Sequence, residues 1–288
     1  MGLVGESGCG KSTLARLLVR LENPDQGQIL YEGEDMAARQ GEDLRSWRRN
    51  VQIIFQDAFA SLNPRMPVEE IIRDPLRNYN GQDREKFPAR VAELMEMVGL
   101  EPGVRFRYPH EFSGGQRQRI AIARALALEP RLLVCDECVA NLDVSIQAQI
   151  LDLIQSLQER LRLSLLFISH DLAVVRYISD RVAVMYLGRI VEVLEAATLT
   201  EKALHPYTRF LLSAVPLPDP AQKGTEQPLL QGEPPNPLHP PSGCRFHPRC
   251  PQALTQCRQE EPPVAGISEN HWVACHRRQG SSKGADQN

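Results

Sequence analysis

The 288-residue chain has no run approaching 18 apolar residues, and no charged segment leading into an apolar stretch opens it. These absences predict a cytosolic protein, with any attachment to a membrane supplied by partner subunits. An excess of charge of one sign is also missing. The 33 basic and 36 acidic residues leave a formal net charge of −3, so no basic field marks the chain as a nucleic-acid binder. Only Met1-Gly2-Leu3-Val4 precede the first glycine-rich loop, where a strand of about 5–6 residues is the usual lead-in. The expectation is an N-terminally truncated chain that binds nucleotide weakly as written. Its length supports one to two domains with a sizeable core.

The loop is Gly5-Glu6-Ser7-Gly8-Cys9-Gly10-Lys11-Ser12, which fits G-x-x-x-x-G-K-[ST]. In such a loop glycines let backbone N–H groups cradle phosphate oxygens, and the following helix adds its positive end. Lys11 would reach the β- and γ-phosphates and Ser12 would offer its hydroxyl to Mg²⁺. Thr13 begins a helix on which Leu14, Leu17, Leu18 and Leu21 recur at helical spacing. About a hundred residues on stands Ser113-Gly114-Gly115-Gln116.

Residues 131–137 form a short apolar run ending in Asp136 and Glu137, where Asp136 can hold Mg²⁺ and Glu137 can orient or deprotonate an attacking water. Gln56 follows the apolar run 51–55 and could sense the metal or the water. His170 closes the run 165–169, where an imidazole could hydrogen-bond a γ-phosphate. Taken singly, the carboxylate pair would be a solvated loop, Gln56 a surface residue and His170 an ordinary histidine. Their order behind a phosphate loop is what carries weight.

Periodicity supplies the rest of the organisation. A short strand is expected within 27–33, another at 163–169, and a hairpin from 182–187 to 190–193 around Gly188-Arg189. Ile146, Ile150, Leu153, Ile154, Leu157 and Leu161 share one helical face, so helix and strand alternate as in an α/β sheet. The segment 58–119 differs: 90–100 is helical, prolines recur at 64, 67, 75, 88, 102 and 109, and no buried strand is evident.

After residue 193 the composition shifts. His205-Pro206-Tyr207-Thr208 precedes an apolar helical turn, and nine prolines then fall between Pro216 and Pro241, a density that favours extended, semi-rigid chain. Cys244, Cys250, Cys257 and Cys275 follow, with His247, His271 and His276 nearby. In a reducing cytosol four clustered cysteines argue for metal before disulfide. Their spacing lacks a paired C-x₂-C knuckle; Zn²⁺ and an iron–sulfur cluster suit four thiolates equally, and free or redox-active thiols are the competing reading. Cys9, Cys135 and Cys138 are best read as small packing residues.

From Gly5 to about Val193 this constellation resembles the nucleotide-binding subunit of ATP-binding cassette (ABC) transporters. The resemblance implies an α/β fold: a P-loop, RecA-like ABC ATPase core with an inserted helical subdomain at about 58–119 and a small cysteine-containing C-terminal extension. It implies a nucleotide-binding domain over 1–200 and an extension over 201–288, the latter with a proline-rich linker at 216–241 and a cysteine module at 244–276. By that likeness 5–13 is Walker A, Gln56 the Q-loop, 113–116 the signature, 132–137 Walker B, Asn141-Leu142-Asp143 the D-loop and His170 the switch histidine. Nucleotide would contact Gly5, Ser7, Gly8, Gly10, Lys11, Ser12, Thr13, Ser113, Gly114, Gly115, Gln116 and Asp143. Mg²⁺ would take Ser12, Gln56 and Asp136, and catalysis would fall to Glu137, His170 and Gln56. The signature of one subunit caps ATP on its partner, so one chain alone should hydrolyse poorly. Phe112 stands where leucine is commoner, and Cys138-Val139-Ala140-Asn141 replaces the usual Pro-Thr-Ser-Ala, which is expected to alter rate without abolishing function.

The tail resembles that of the oligopeptide and dipeptide transporter ATPases, nearer the F-type than the D-type. The likeness rests on His205-Pro206-Tyr207-Thr208, Gly232-Glu233-Pro234-Pro235-Asn236-Pro237, Gly243-Cys244-Arg245-Phe246 and Arg249-Cys250-Pro251, with Ser61-Leu62-Asn63-Pro64-Arg65 upstream. It implies a [4Fe–4S] cluster first and zinc second, and ATP hydrolysis that energises uptake of dipeptides or oligopeptides. The implied partners are a sister ATPase, two membrane permeases and an extracytoplasmic peptide-binding protein, with this chain peripheral at the cytoplasmic face of the inner membrane. Nickel and glutathione importers share the pattern. A truncated, catalytically silent cassette stays open as the rival. A soluble cassette acting on ribosomes or DNA would be expected to carry a coiled-coil insertion or tandem cassettes, and neither is visible.

Overall fold

The computed structural model describes residues 1–79, 84–214, 233 and 235–281. Most of the proline-rich stretch expected to be extended lies outside them. The strands are β1 (Gly2–Val4), β2 (Leu30–Tyr31), β3 (Glu34–Asp35), β4 (Val51–Ile54), β5 (Leu132–Asp136), β6 (Ser164–Ser169), β7 (Arg181–Tyr186), β8 (Arg189–Glu195), β9 (Val264–Ser268) and β10 (His271–Ala274). The α-helices are α1 (Lys11–Leu18), α2 (Gly41–Asn50), α3 (Ala58–Ser61), α4 (Val68–Tyr79), α5 (Phe87–Met97), α6 (Gly114–Leu126), α7 (Val144–Leu161), α8 (Leu172–Ile178), α9 (Leu199–Lys202) and α10 (Pro206–Ser213). They form two compact units, one of Ser12–Ile168 and one of Met1–Lys11 with Ser169–Asn288.

Within Ser12–Ile168, β4, β5 and β6 run parallel, with Val51 opposite Leu132 and Leu132 opposite Ser164. The unbroken apolar run Leu132-Leu133-Val134-Cys135 suits a strand covered on both faces. Ile150, Leu151, Ile154 and Leu157 bury the middle of α7, whereas Leu161 at its end is exposed. The expected stripe is therefore right in the centre and lost at the last turn. Between 58 and 119 no strand occurs among the described residues, and α3, α4 and α5 pack with α6 into a helical layer. The strand expected within 27–33 shrinks to the two residues of β2, paired with β3 across Glu32 and Gly33, both at positive φ. That tight turn ends β2 at Tyr31.

In the other unit β1 pairs parallel with β7, and β7, β8, β10 and β9 follow in antiparallel order. The hairpin turn lies one residue earlier than expected. Tyr186 pairs with Arg189, leaving Leu187 and Gly188 as the two-residue loop at φ 42° and 78°. Positive φ at both places is what a type I′ turn needs to match strand twist. The C-terminal segment extends this sheet, with Trp272 and Val273 of β10 opposite Val193 and Glu192.

A buried carboxylate organises the start of that segment. Glu192 accepts the Leu204 N–H at 2.7 Å and the His205 N–H at 3.0 Å, and lies 2.9 Å from His271 Nε2. With three partners, its burial is not penalised by unmet polarity. His205 in turn caps α10, its Nδ1 accepting the Tyr207 N–H at 3.1 Å. Burial pushes the His205 imidazole down to about 4 from an ordinary 6.5. Unfolded chain therefore takes up a proton that folded chain refuses between these values, and stability falls as pH falls through that window. Urea unfolding across pH 7 to 4 is expected to show a loss of about 3 kcal/mol from this residue, absent in a His205→Asn variant that keeps a capping acceptor.

Candidate nucleotide site

The glycine-rich loop between β1 and α1 has Gly8 at φ 78° and Gly10 at φ 105°, conformations that L side chains rarely adopt. At Gly5 the reason for glycine is distance: a Cβ there would lie 2.2 Å from the Met185 carbonyl oxygen. The loop is tied to the β7–β8 turn by a Gly188 N–H bond to the Cys9 carbonyl at 2.7 Å. Lys11 is buried, its ammonium donating to the Gly5 carbonyl at 2.8 Å and the Glu6 carbonyl at 3.1 Å. Ser7, Gly8 and Thr13 are exposed. A glycine-rich turn at a helix N-terminus with an ammonium at its root is the arrangement that suits an anion.

In Ser12–Ile168, Ser12 Oγ donates to Asp136 Oδ1 at 3.1 Å, bringing together two of the oxygens expected around Mg²⁺. Asp136 ends β5 and is buried. Glu137 next to it takes φ 47° and is pinned by its N–H to the Ile168 carbonyl at 3.0 Å. That left-handed step turns the side chain off the strand, where Gln56 Nε2 donates to Glu137 Oε2 at 3.1 Å. The oxygen-rich set fits a hard divalent ion such as Mg²⁺. Ser12, Gln56 and Asp136 all line a cavity of about 740 Å³.

Ser113 and Gln116 face solvent at the N-terminus of α6 and close a reciprocal cap: Ser113 Oγ accepts the Gln116 N–H at 3.3 Å, and Gln116 Oε1 accepts the Ser113 N–H at 3.0 Å. Gly114 is exposed and Gly115 buried; a Cβ on Gly115 would come 2.6 Å from Ile146 Cγ2 of α7. This pattern presents an outward helix N-terminus while its back packs tightly.

Residues 1–140 match the family described as ABC transporter, and residues 191–257 the family described as oligopeptide/dipeptide transporter, C-terminal region. Over 96% of its length the chain is 53% identical to the probable peptide ABC transporter ATP-binding protein y4tS of Sinorhizobium fredii, covering 78% of that protein. Over the same share it is 52% identical to the oligopeptide transport ATP-binding protein OppF of Salmonella typhimurium, covering 83% of it. It belongs to the ABC transporter ATP-binding family. Among solved structures, the dimeric ATP-binding cassette MJ0796 bound to ADP and Pi aligns with TM-score 0.61 at 28% identity, over 68% of this chain and 84% of that one. The cbiO1 protein of Clostridium perfringens aligns with TM-score 0.63 at 27% identity, over 70% and 78%. The chain is accordingly an ATP-binding, ATP-hydrolysing cassette with the expected fold.

Asp143, expected against nucleotide, caps α7, its Oδ1 accepting from the Ile146 N–H at 3.0 Å and the Ser145 hydroxyl at 2.8 Å. Those bonds hold its carboxyl below the usual range. His170 is exposed just past the end of β6. After Glu137 the turn closes without proline: the Ala140 N–H bonds the Glu137 carbonyl and the Leu142 N–H the Val139 carbonyl, while Cys138 and Val139 bury. Cys135 is fully buried, its thiol pushed up by the hydrogen bond its S–H donates to Cys138 and by desolvation.

All seven cysteines are free. Burial pushes Cys244 up to about 11 and raises Cys250 and Cys275, and the neighbouring thiols add to each shift. The Cys244 N–H also bonds the Cys257 carbonyl at 2.9 Å. Even so, no three His, Cys, Asp or Glu side chains among the described residues gather as a metal ion requires. The side chains expected to hold an iron–sulfur cluster or zinc are thus not gathered into a ligand set in this arrangement. Sequence reasoning also passed over Glu6, Tyr207 and Arg249, which meet at the phosphate loop. An acidic residue inside an anion-binding loop was the signal available.

The tight packing behind α6 yields one expectation. Gly115→Val, which drives branched carbons into Ile146, should lower folding stability by about 1–3 kcal/mol in urea unfolding.

Proposed function

We propose that this ABC subunit hydrolyses ATP to energise import of dipeptides or oligopeptides. The observation that carries the reading is one chain holding both the nucleotide site and the 191–257 region matching oligopeptide/dipeptide transporters. Relatives named for oligopeptide transport support the cargo. Its partners are a sister ATPase, two membrane permeases and an extracytoplasmic peptide-binding protein. Among the described residues no helix is long and apolar enough to cross a membrane, so the permeases hold it at the cytoplasmic face of the inner membrane. The helical segment 58–119 is the part that meets them.

In the mechanism, Lys11 and the loop N–H groups bind the triphosphate and offset its charge. Ser12, Asp136 and Gln56 would hold Mg²⁺, which supplies further charge neutralisation on the phosphates. Glu137, positioned by Gln56, accepts a proton from the attacking water. His170 orients the γ-phosphate. The outward N-terminus of α6 at Gly114 caps ATP held by the partner subunit, so closure of two cassettes completes each site. The finer cofactor reading is a [4Fe–4S] cluster, with zinc second, on Cys244, Cys250, Cys257 and Cys275. Their sulfurs would have to close toward one another to ligate it.

With the sister subunit and permeases reconstituted, Glu137→Gln should lower hydrolysis roughly 10²–10⁴-fold while ATP still binds. Hydrolysis equal to wild type would remove Glu137 from the mechanism. Stimulation by nickel- or glutathione-loaded binding protein in place of peptide-loaded protein would replace the cargo. Elemental analysis of anaerobically purified full chain is expected to find stoichiometric iron; zinc would change the metal, and neither would end the cluster reading.

A further inference from the structure

The phosphate loop carries a carboxylate that works against its task. Glu6 is the second residue of a loop that must accept a polyanion, and an uncompensated negative charge there would repel it. Arg249, 243 positions later in the chain, meets that carboxylate with two bonds. Its Nη1 donates to Oε2 at 2.7 Å and its Nη2 to Oε1 at 3.1 Å. The side chains are 7% and 24% exposed, so solvent screens the pair only weakly.

The remaining polar groups of Glu6 are also committed. Its N–H donates to Tyr207 Oη at 2.8 Å, and its carbonyl accepts from Lys11 Nζ at 3.1 Å. The lysine expected at the phosphates therefore hangs on a residue that the C-terminal segment grips at both backbone and side chain. A second grip lies beside it: Arg245 donates to the Leu187 carbonyl, in the turn whose Gly188 bonds Cys9. Arg249 itself is fixed by Tyr186, whose hydroxyl lies 3.4 Å from Nη1, within a cluster of Tyr186, Tyr207 and Phe246 rings. Burial opposes its charge, but Glu6 and Tyr186 outweigh that and raise its pKa. Its Nε is buried without a hydrogen-bond partner, a cost that an apolar packing residue would avoid.

We propose that Arg249 is a positioning residue for ATP: it cancels the charge of Glu6 and fixes the carbonyl on which Lys11 rests, making the C-terminal segment a working part of the phosphate site. The inference rests on the ATP-binding reading of the loop.

The test is titration of the full chain with a fluorescent ATP analogue and Mg²⁺. Arg249→Met should weaken binding about tenfold, the size of one charged hydrogen bond, and Arg249→Lys should weaken it less. Adding Glu6→Gln to Arg249→Met should restore most of the affinity, because the uncompensated charge is then gone. Val273→Ala, a change at a buried β10 position that makes none of the bonds to Glu6 or Lys11, should lower the unfolding midpoint and leave affinity unchanged. Wild-type affinity in Arg249→Met, failure of Glu6→Gln to restore it, or equal loss in Val273→Ala would each overturn the proposal. A Lys11→Ala chain that binds as wild type would instead sink the assignment of the site, and the proposal with it.

Discussion

The phosphate loop must turn its N–H groups toward a ligand while lying against the end of β7, and that close approach governs the unit built around it. Gly5 sits where any side chain would strike the Met185 carbonyl, and the loop is then stitched to the hairpin turn through Cys9 and Gly188. Lys11 folds onto the Gly5 and Glu6 carbonyls, so its position is set by the loop's own path. Hence the order of β1, β7 and β8 is functional as well as architectural.

In the unit of Ser12–Ile168 the corresponding constraint is electrostatic. Asp136 and Glu137 are adjacent in sequence but leave β5 in different directions, because the backbone steps into the left-handed region at Glu137. The step costs on the order of 1 kcal/mol or more and is held by the bond to the Ile168 carbonyl. One carboxylate is thereby aimed at Ser12 and the other at Gln56. Two neighbouring carboxylates acquire different partners and can take different tasks.

The C-terminal segment is built on polar burial as much as on apolar packing. Glu192 and His205 organise the entry to α10, three aromatic rings meet beneath it, and β10 completes the edge of β8. These contacts explain the chemistry of His205-Pro206-Tyr207: an N-cap acceptor, a helix-starting proline, and a phenol that reaches Glu6. The cysteines lie close by without converging.

The order and type of the chemical groups were legible in the sequence, because a phosphate loop, a carboxylate-ended strand and a signature turn are local patterns whose spacing reflects backbone geometry. The apolar runs at 51–55 and 131–137 became strands, and the strand at 163–169, the hairpin and the strand-free segment 58–119 were expected from the sequence, with only their ends moved. What the sequence could not express was pairing across long separations. That Asp143 spends its carboxylate on a helix cap, that Gly115 is small because of Ile146, and that Arg249 answers Glu6 depend on the path of the chain in space. Local patterns determine which groups the protein has; tertiary structure decides which of them meet, because charge and steric contact act through distance and take no account of separation along the chain.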